Sequence, residues 1–407
     1  MVRKCIFSGC DRNALEKSNY CILHENYRST TYDEDYLNRE KAKAFYEEIK
    51  SGVRNFKGCI FPEISLTNMN FQNINFTDCV FKGAVDFSGS KFEGKTSFEN
   101  CIFKSDALFK GCEFVGCVSF EEVMFKKYAN FIDSIFYSSV KFESMNFSDV
   151  TFYNAKFNEK ASFNDSIFTG FVRFEGSSNN LVFYSEAEFD DISFRLPNEV
   201  EFINLDLSMA SFFNTNIEDV RFADVKWATA GRLFKRKAIY NELLIDQKVY
   251  RDYELVADIY RRLRASYEKR LQYQYASDFY IGEMEIKRKN CKFKNRISKF
   301  IMQNLSFIAL YKYFSLYGEN YYLPIIWIFL TILLFGYLFS HLFKLQSLDP
   351  YALSVLTFFQ MIPSSVMKKL ASNMTLSVVF LIERLLGILF TALFVLALRR
   401  RFKKMTL

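Results

Sequence analysis

Three cysteines and one of only two histidines in the 407-residue chain are spaced Cys5-x4-Cys10-x10-Cys21-x2-His24. Thiolates and imidazoles are the ligands that Zn2+ takes four at a time in a tetrahedron, and a segment this short has no other means of holding shape. Cys5, Cys10, Cys21 and His24 therefore predict a structural Zn2+ site, with every position filled by protein and none left open for catalysis. The competing reading is three free cysteines beside an unrelated histidine. A second pair, Glu383 and Arg384, stands inside an apolar stretch near the C terminus, where an ionisable side chain marks a bundle interior or a watery path. No nucleophile–base pair, phosphate loop or open metal site appears, and with His24 and His341 the only histidines, a site built on several of them is excluded. The expectation is a protein that is not an enzyme.

The elements that must position these residues differ in composition. The chain has 48 Phe and 24 Tyr against 5 Pro and 15 Gly, which excludes disorder and linker arrays. Most of the Phe obey one register. Phe61, Leu66, Phe71, Phe76 and Phe81 step by five, and steps of five and six then alternate through Phe87, Phe92, Phe98, Phe103, Phe109, Phe114, Phe120, Phe125, Phe131, Phe136 and Phe142. The register continues to Phe174 and, after a break, resumes from Phe189 to Phe222. A step of five fits neither a helix nor an ordinary strand, but it fits a solenoid that turns a corner every five or six residues. The residue two before the central Phe is small or apolar, as at Cys59, Cys79, Val85, Cys101, Ala107 and Cys112. Both positions should point inward, and the spacings 59 to 79 and 79 to 101 stack three thiols as buried small groups.

On these residues the chain resembles the pentapeptide-repeat proteins. The resemblance implies a right-handed quadrilateral β-helix, a rod of about 35 to 40 Å at roughly 4.8 Å per coil. Such rods serve as spacers, docking surfaces or acidic mimics of DNA. The stretch CIFSGCDRNALEKSNYCILHE is also similar to a zinc knuckle sometimes found ahead of bacterial pentapeptide repeats. Residues 59 to 223 carry 24 Asp and Glu against 13 Lys and Arg in a chain of net charge +7, so the rod is acidic and its surroundings are basic. Tyr32 to Lys50 reads as a linker helix ended by Gly52.

Between Leu233 and Asn320 apolar residues recur at three and four, as at Tyr260, Leu263, Tyr267 and Leu271, and two antiparallel helices are expected. Glu283 and Glu285 are expected on a solvated face. Lys287, Arg288, Lys289, Lys292, Lys294, Arg296 and Lys299 form a cationic run suited to anionic lipid headgroups. Nucleic acid is the competing partner for that run and is not expected. Leu323 to Phe343 holds no charged residue over 21 positions and Thr375 to Leu398 is also long enough, so both predict membrane spans. Basic residues flank the pair on one side, which places both termini in the cytosol of a multi-pass protein of the cytoplasmic membrane.

The loop between the spans is apolar from Tyr351 to Ile362, too short to cross and long enough for a re-entrant helix that Pro363 would stop. Span, short helix, span is the plan of a pore domain. LYKYFSLYGENYYLP and FLIERLLGILFTALFVLALRRRFKK resemble the two-transmembrane, potassium-channel-like module of some pentapeptide-repeat proteins. No Gly lies between Lys344 and Leu386, so a potassium filter is not supported. Phe359, Gln360, Pro363, Ser364, Ser365, Lys368 and Lys369 are the candidate pore-loop residues. By analogy with related pore domains a tetramer is expected, with Glu383 paired to Arg384 of a neighbour.

The expected architecture is multidomain: a zinc-knuckle-like motif and helix over 1–55, a β-solenoid over 56–225, a basic helical collar over 226–320 and a two-span membrane domain over 321–407. The expected function is an oligomeric channel-like protein whose cytosolic rod docks an unidentified protein partner and controls a pore. The alternative is a membrane-anchored scaffold without conduction.

Overall fold

A computed structural model describes residues 3–26, 32–177, 182–231, 234–247, 252–290, 295–341, 349–361, 366 and 373–405. The chain divides into two compact units, Met1–Arg270 and Leu271–Leu407.

An inward Phe every five or six residues leaves room for only a short straight side before the chain turns, and the strands of the first unit are two to four residues long. They stack in four parallel sheets of seven, five, six and eight strands, each strand paired with those one coil away. Ile60–Phe61 pairs with Val80–Phe81, and that strand with Ile102–Phe103. The result is a β-solenoid of about seven turns over residues 60–223, as the register predicts. Inside it the Phe rings stack in columns. Phe81 lies on Phe103 at 4.5 Å with 2° between planes, and Phe109 on Phe131 at 4.9 Å. Neighbouring columns meet edge to face, as Phe120 and Phe131 do at 5.8 Å and 88°. Both arrangements are favoured by the ring quadrupole beyond the area they bury.

The corners use a signal that the Phe register leaves unread. Two residues after the inward Phe the backbone turns left-handed: Asp78, Asn100, Asp133, Asn154, Asp165, Asp191 and Asn214 have φ between 53° and 62°. Short polar side chains tolerate that conformation, and Gly89 and Gly111 take the same place. The thiols of Cys79, Cys101 and Cys112 are buried and donate to the carbonyls of Phe56, Phe76 and Phe87 at 2.9 to 3.0 Å. The break in the register does not interrupt the stack, because Phe183 is buried 5.2 Å above Phe157.

Both ends of the rod are covered. At the first, helix α1 (Glu34–Lys50), begun by the Asp33 side chain, buries Leu37, Phe45 and Ile49. Phe45 meets Phe56 at 4.8 Å and Phe61 at 4.7 Å, so the expected linker is a lid. At the other end Trp227 packs on Phe222 at 5.4 Å and donates through Nε1 to the hydroxyl of Tyr267 at 2.8 Å. Tyr267 belongs to α3 (Tyr253–Lys269), which follows the short α2 (Tyr240–Asp246). Tyr260, Leu263 and Tyr267 of α3 are buried, as their spacing predicts, whereas Leu271, expected in the same stripe, lies past the end of the helix and is exposed. A buried ion pair of Arg236 with both oxygens of Glu242, 2.9 and 2.7 Å, shares the Tyr260 hydroxyl.

The second unit is helical: α4 (Tyr273–Lys289), α5 (Arg296–Leu305), α6 (Phe307–Ser315), α7 (Tyr322–His341), α8 (Pro350–Phe358) and α9 (Met374–Met405). Among the described residues the interval expected to hold two helices contains five, and Asp252, Asn295 and Ser306 each cap a new start. Glu283 and Glu285 are buried rather than solvated. Glu283 accepts from Lys287 at 2.6 Å. Glu285 accepts from Arg288 at 2.8 Å, Lys312 at 2.9 Å and the Tyr317 hydroxyl at 2.6 Å. Burial pushes the Glu285 carboxyl up, but these three donors outweigh it and hold it at about 2.

Two outcomes follow from this packing. Phe131→Ala, in the middle of the rod, should cost about 3–5 kcal/mol, read as a lower denaturation midpoint, whereas Tyr137→Ala on the surface should stay within about 0.5 kcal/mol. The depressed Glu285 carboxyl contributes stability that is complete above the range of a free carboxyl and lost as pH falls toward about 2. Acid unfolding should therefore be shallower in Glu285→Gln than in the wild type, and identical acid limbs would contradict the assignment.

Candidate metal centre and membrane hairpin

The first 26 residues have almost no hydrophobic core, so their shape rests on short turns and on what the side chains hold. Cys10 N–H donates to Phe7 O at 3.0 Å, and His24 and Glu25 N–H both return to Cys21 O. These turns bring the four predicted ligands together. The Sγ atoms of Cys5, Cys10 and Cys21 and a ring nitrogen of His24 lie within 4.8 Å of one another. Cys5 Sγ and Cys21 Sγ are 3.4 and 3.3 Å from His24 Nδ1, and Cys10 Sγ is 3.8 Å from Cys21 Sγ. Ligands about 2.3 Å (sulfur) and about 2.0 Å (nitrogen) from one zinc ion sit roughly 3.5–3.8 Å apart in a tetrahedron, so the donor set fits that ion.

The orientation of His24 is settled by its other nitrogen. Nε2 lies 2.9 Å from Lys57 O, which can only accept, so Nε2 carries the hydrogen and Nδ1 presents its lone pair to the thiols. Phe7 stacks on the imidazole at 4.0 Å and on Gly58, where a Cβ would stand 2.0 Å from the ring; Gly58 also has φ +71°. Arg12 holds both carboxylate oxygens of Glu48 on α1, at 2.6 to 2.9 Å, and points a further N–H at Cys10 Sγ, 3.8 Å away. The buried Lys41 ammonium of α1 donates to Leu23 O, Glu25 O and Ile60 O at 3.4, 2.7 and 3.0 Å. Burial pushes the Cys21 thiol up to about 12, so a metal would have to displace its proton. Cys59 Sγ is 3.6 Å from Nε2, on the far side of the ring, and is no fifth ligand. The sequence showed the four ligands but not Gly58, Arg12, Lys41 or Lys57 O, which fasten them to the rod.

In the second unit α7 and the Met374–Phe402 part of α9 are long and apolar enough to cross a membrane. Ile325, Ile326, Phe329, Leu333 and Leu334 of α7 and Leu381, Ile382, Leu385 and Ile388 of α9 are exposed, which the core helix of a water-soluble protein would not tolerate. The expected short helix is present as α8. Asp349 caps it by accepting from Tyr351 N–H, and Pro350 fills its first position. It ends before Pro363, because Phe359 closes the last turn and Gln360 is left-handed at φ 69°.

Three contacts seat α8 between the long helices. A Cβ at Gly336 of α7 would meet the Tyr351 ring at 2.3 Å, and one at Gly387 of α9 would meet Phe358 O at 2.3 Å. One turn before Gly387, the fully buried Glu383 meets the Ser354 hydroxyl. The i, i+4 pair Glu383 and Gly387 is therefore the face of α9 that receives α8. Arg384 points elsewhere: its Nε donates to Gln360 Oε1 at 2.8 Å, and Gln360 Nε2 donates back to Arg384 O at 3.0 Å. Within one chain Glu383 and Arg384 thus have different partners. Phe359 and Gln360 line a groove of 590 Å³ along α9 with Ile388, Thr391 and Val395. Pro363, Ser364, Ser365, Lys368 and Lys369 lie outside the described residues.

The cationic run divides. Arg288, with a side chain 13% exposed, is committed to Glu285 and to Gln303 O at 2.7 Å, and Lys287 pairs with Glu283 while staying 44% exposed. Lys289 is half-buried. Lys292 and Lys294, and the side chains of Arg296 and Lys299, are outside the described residues.

No curated protein matches the chain. Residues 56–102, 87–135 and 98–146 match the family model of pentapeptide repeats, so the first half of the rod is similar in sequence, as the whole rod is in form, to that repeat class.

Proposed function

We propose that copies of the α7–α8–α9 hairpin assemble in a membrane around their α8 helices and form a pore, with the pentapeptide-repeat rod as its docking element for a cytosolic protein. The observation that carries this reading is the seating of α8, a helix too short to cross a bilayer, against both helices that can. Two spans cannot enclose water alone, so an oligomer is required, most simply a tetramer. Both termini lie on the cytosolic side, where Arg399, Arg400 and Arg401 follow the second span. The adjoining α5 exposes Ile297, Phe300, Ile301 and Leu305 on one face beside the cationic run, which suits a helix lying in anionic headgroups. Gln360, Ser364 and Ser365 would line a path of low selectivity, and a ring of Lys368 and Lys369 would favour anions.

The metal centre supports the rod. Cys5, Cys10, Cys21 and His24 would hold one structural Zn2+, and His24 Nε2–H and Arg12 would pass its order to Lys57 O and α1. A second reading, a tethered scaffold without conduction, is favoured by the exposed apolar Phe359 and Met361 at the end of α8, where a filter would begin.

Reconstituted protein should carry ion flux that deletion of residues 345–373 abolishes while membrane insertion persists. Flux that survives the deletion would remove the loop from the pore, and no flux from the wild type would leave the scaffold. Elemental analysis should find one zinc per chain in the wild type and none in Cys21→Ser; a wild type free of metal would contradict the zinc assignment.

A further inference from the structure

Glu383 is the only acidic residue between Met374 and Phe402, and it is fully buried. Its Oε1 meets Ser354 Oγ of α8, and its Oε2 is buried with no hydrogen-bond partner among the described residues. Ser354 Oγ also lies 3.1 Å from the backbone carbonyl of Ile332 on α7. A serine hydroxyl has one hydrogen, and a carbonyl oxygen can only accept. If that hydrogen serves Ile332 O, the hydrogen between Ser354 and Glu383 must come from the carboxyl group. In the opposite arrangement an ionised Glu383 would keep a full negative charge with one hydrogen bond and one bare oxygen, and the Ile332 contact would have no proton at all. The bare Oε2 is far less costly as the carbonyl of a neutral acid than as half of a carboxylate.

Among the described residues no cation pairs with Glu383. The ionisable side chains on the packed helices are Tyr322, Tyr337 and His341 of α7, Tyr351 of α8, and Arg384 and the terminal basic residues of α9. Tyr337 stacks against His341 at 4.4 Å, Tyr351 covers Gly336, and Arg384 is held by Gln360. Among the described residues Ser354 is the only polar group that acts on Glu383.

We propose that Glu383 is a proton-binding site: in the folded protein at neutral pH it is a neutral carboxylic acid that donates to Ser354, which donates to Ile332 O. One bound proton thereby completes a chain of hydrogen bonds from α9 through α8 to α7 and locks the short helix in its seat. The site rests on the packing of the hairpin alone and holds whether or not the hairpin conducts.

Infrared difference spectra of the full chain in lipid bilayers at neutral pH test this. The wild type should show the C=O stretch of a protonated carboxyl that is missing from Glu383→Gln, and Ser354→Ala, which removes the acceptor, should shift that band. Glu383→Gln keeps a neutral donor toward Ser354, so its unfolding temperature should match the wild type at acid pH, where the unfolded carboxyl is protonated too, and show no fall from this site as pH rises. The wild type should lose stability as pH climbs from the ordinary carboxyl range toward the point where the buried acid ionises, because only the folded state keeps the proton there. A wild-type spectrum with no protonated-carboxyl band that Glu383→Gln removes would overturn the proposal. Should Glu383→Gln fail to fold, Ser354→Ala decides: a shifted band supports the acid, and an unchanged or absent one refutes it.

Discussion

A helix of nine residues can persist between two long apolar helices only if its polar groups and its backbone find partners there, because neither lipid nor an apolar interface supplies any. The contact of Ser354 with Glu383 meets that requirement for α8, and the glycines on either side make it geometrically attainable. Gly336 admits the ring of Tyr351, and Gly387 lets the last carbonyl of the helix approach α9. A side chain at Gly387 would press on the backbone of α8, and one at Gly336 on the ring of Tyr351. The Asp349 cap, the left-handed Gln360 and the clasp of Gln360 with Arg384 then fix where the helix begins and ends. The charged pair that looked like a motif for joining subunits is thus occupied within one chain, Glu383 with the helix itself and Arg384 with the residues just after it.

The rod solves a different problem. A solenoid closes its sides by parallel pairing but leaves two open ends, where Phe columns and strand edges would face water. One end is covered by α1 and the cysteine–histidine knuckle, the other by Trp227, α2 and α3. The three cysteines and His24 are therefore part of a cap: His24 reaches Lys57 O at the entry to the first coil, Phe7 lies on Gly58, and Arg12 spans from the thiols to α1. Buried cations recur where helices meet backbone, with Lys41 among three carbonyls and Arg236 on Glu242, which gives these caps fixed geometry rather than only apolar adhesion.

The solenoid was legible in the chain because its period is written in one large residue type, and a period of five excludes the usual elements. Its corners were also written, mostly as Asn, Asp or Gly two places after alternate Phe, with Glu122 and Ser144 in the same place, but that signal stands out only once the positive φ values are seen. The clustering of Cys5, Cys10, Cys21 and His24 was legible from residue type and spacing. Their anchors were not, since Lys57 contributes a carbonyl, Gly58 contributes the absence of a side chain, and Arg12 and Lys41 look like surface cations. Glu283 and Glu285 were misread for the same reason: an acidic residue among cations on an amphipathic helix gives no sign of whether that face is solvated or folded against a second helix, and Lys312 and Tyr317 lie far along the chain. The short helix between the two long apolar helices was foreseen from its apolar run, whereas its Asp-Pro start and the role of Gly387 needed the packed structure.

The seating of α8 is the claim on which the hairpin depends, and a paired-cysteine experiment in bilayers addresses it most directly. In the chain carrying Ser354→Cys with Glu383→Cys, mild oxidation should produce a disulfide within one chain, located by mass spectrometry of the peptides from α8 and α9. Failure of that link to form, while a cysteine pair placed between α8 and the exposed face of α7 reacts instead, would show that the short helix lies elsewhere.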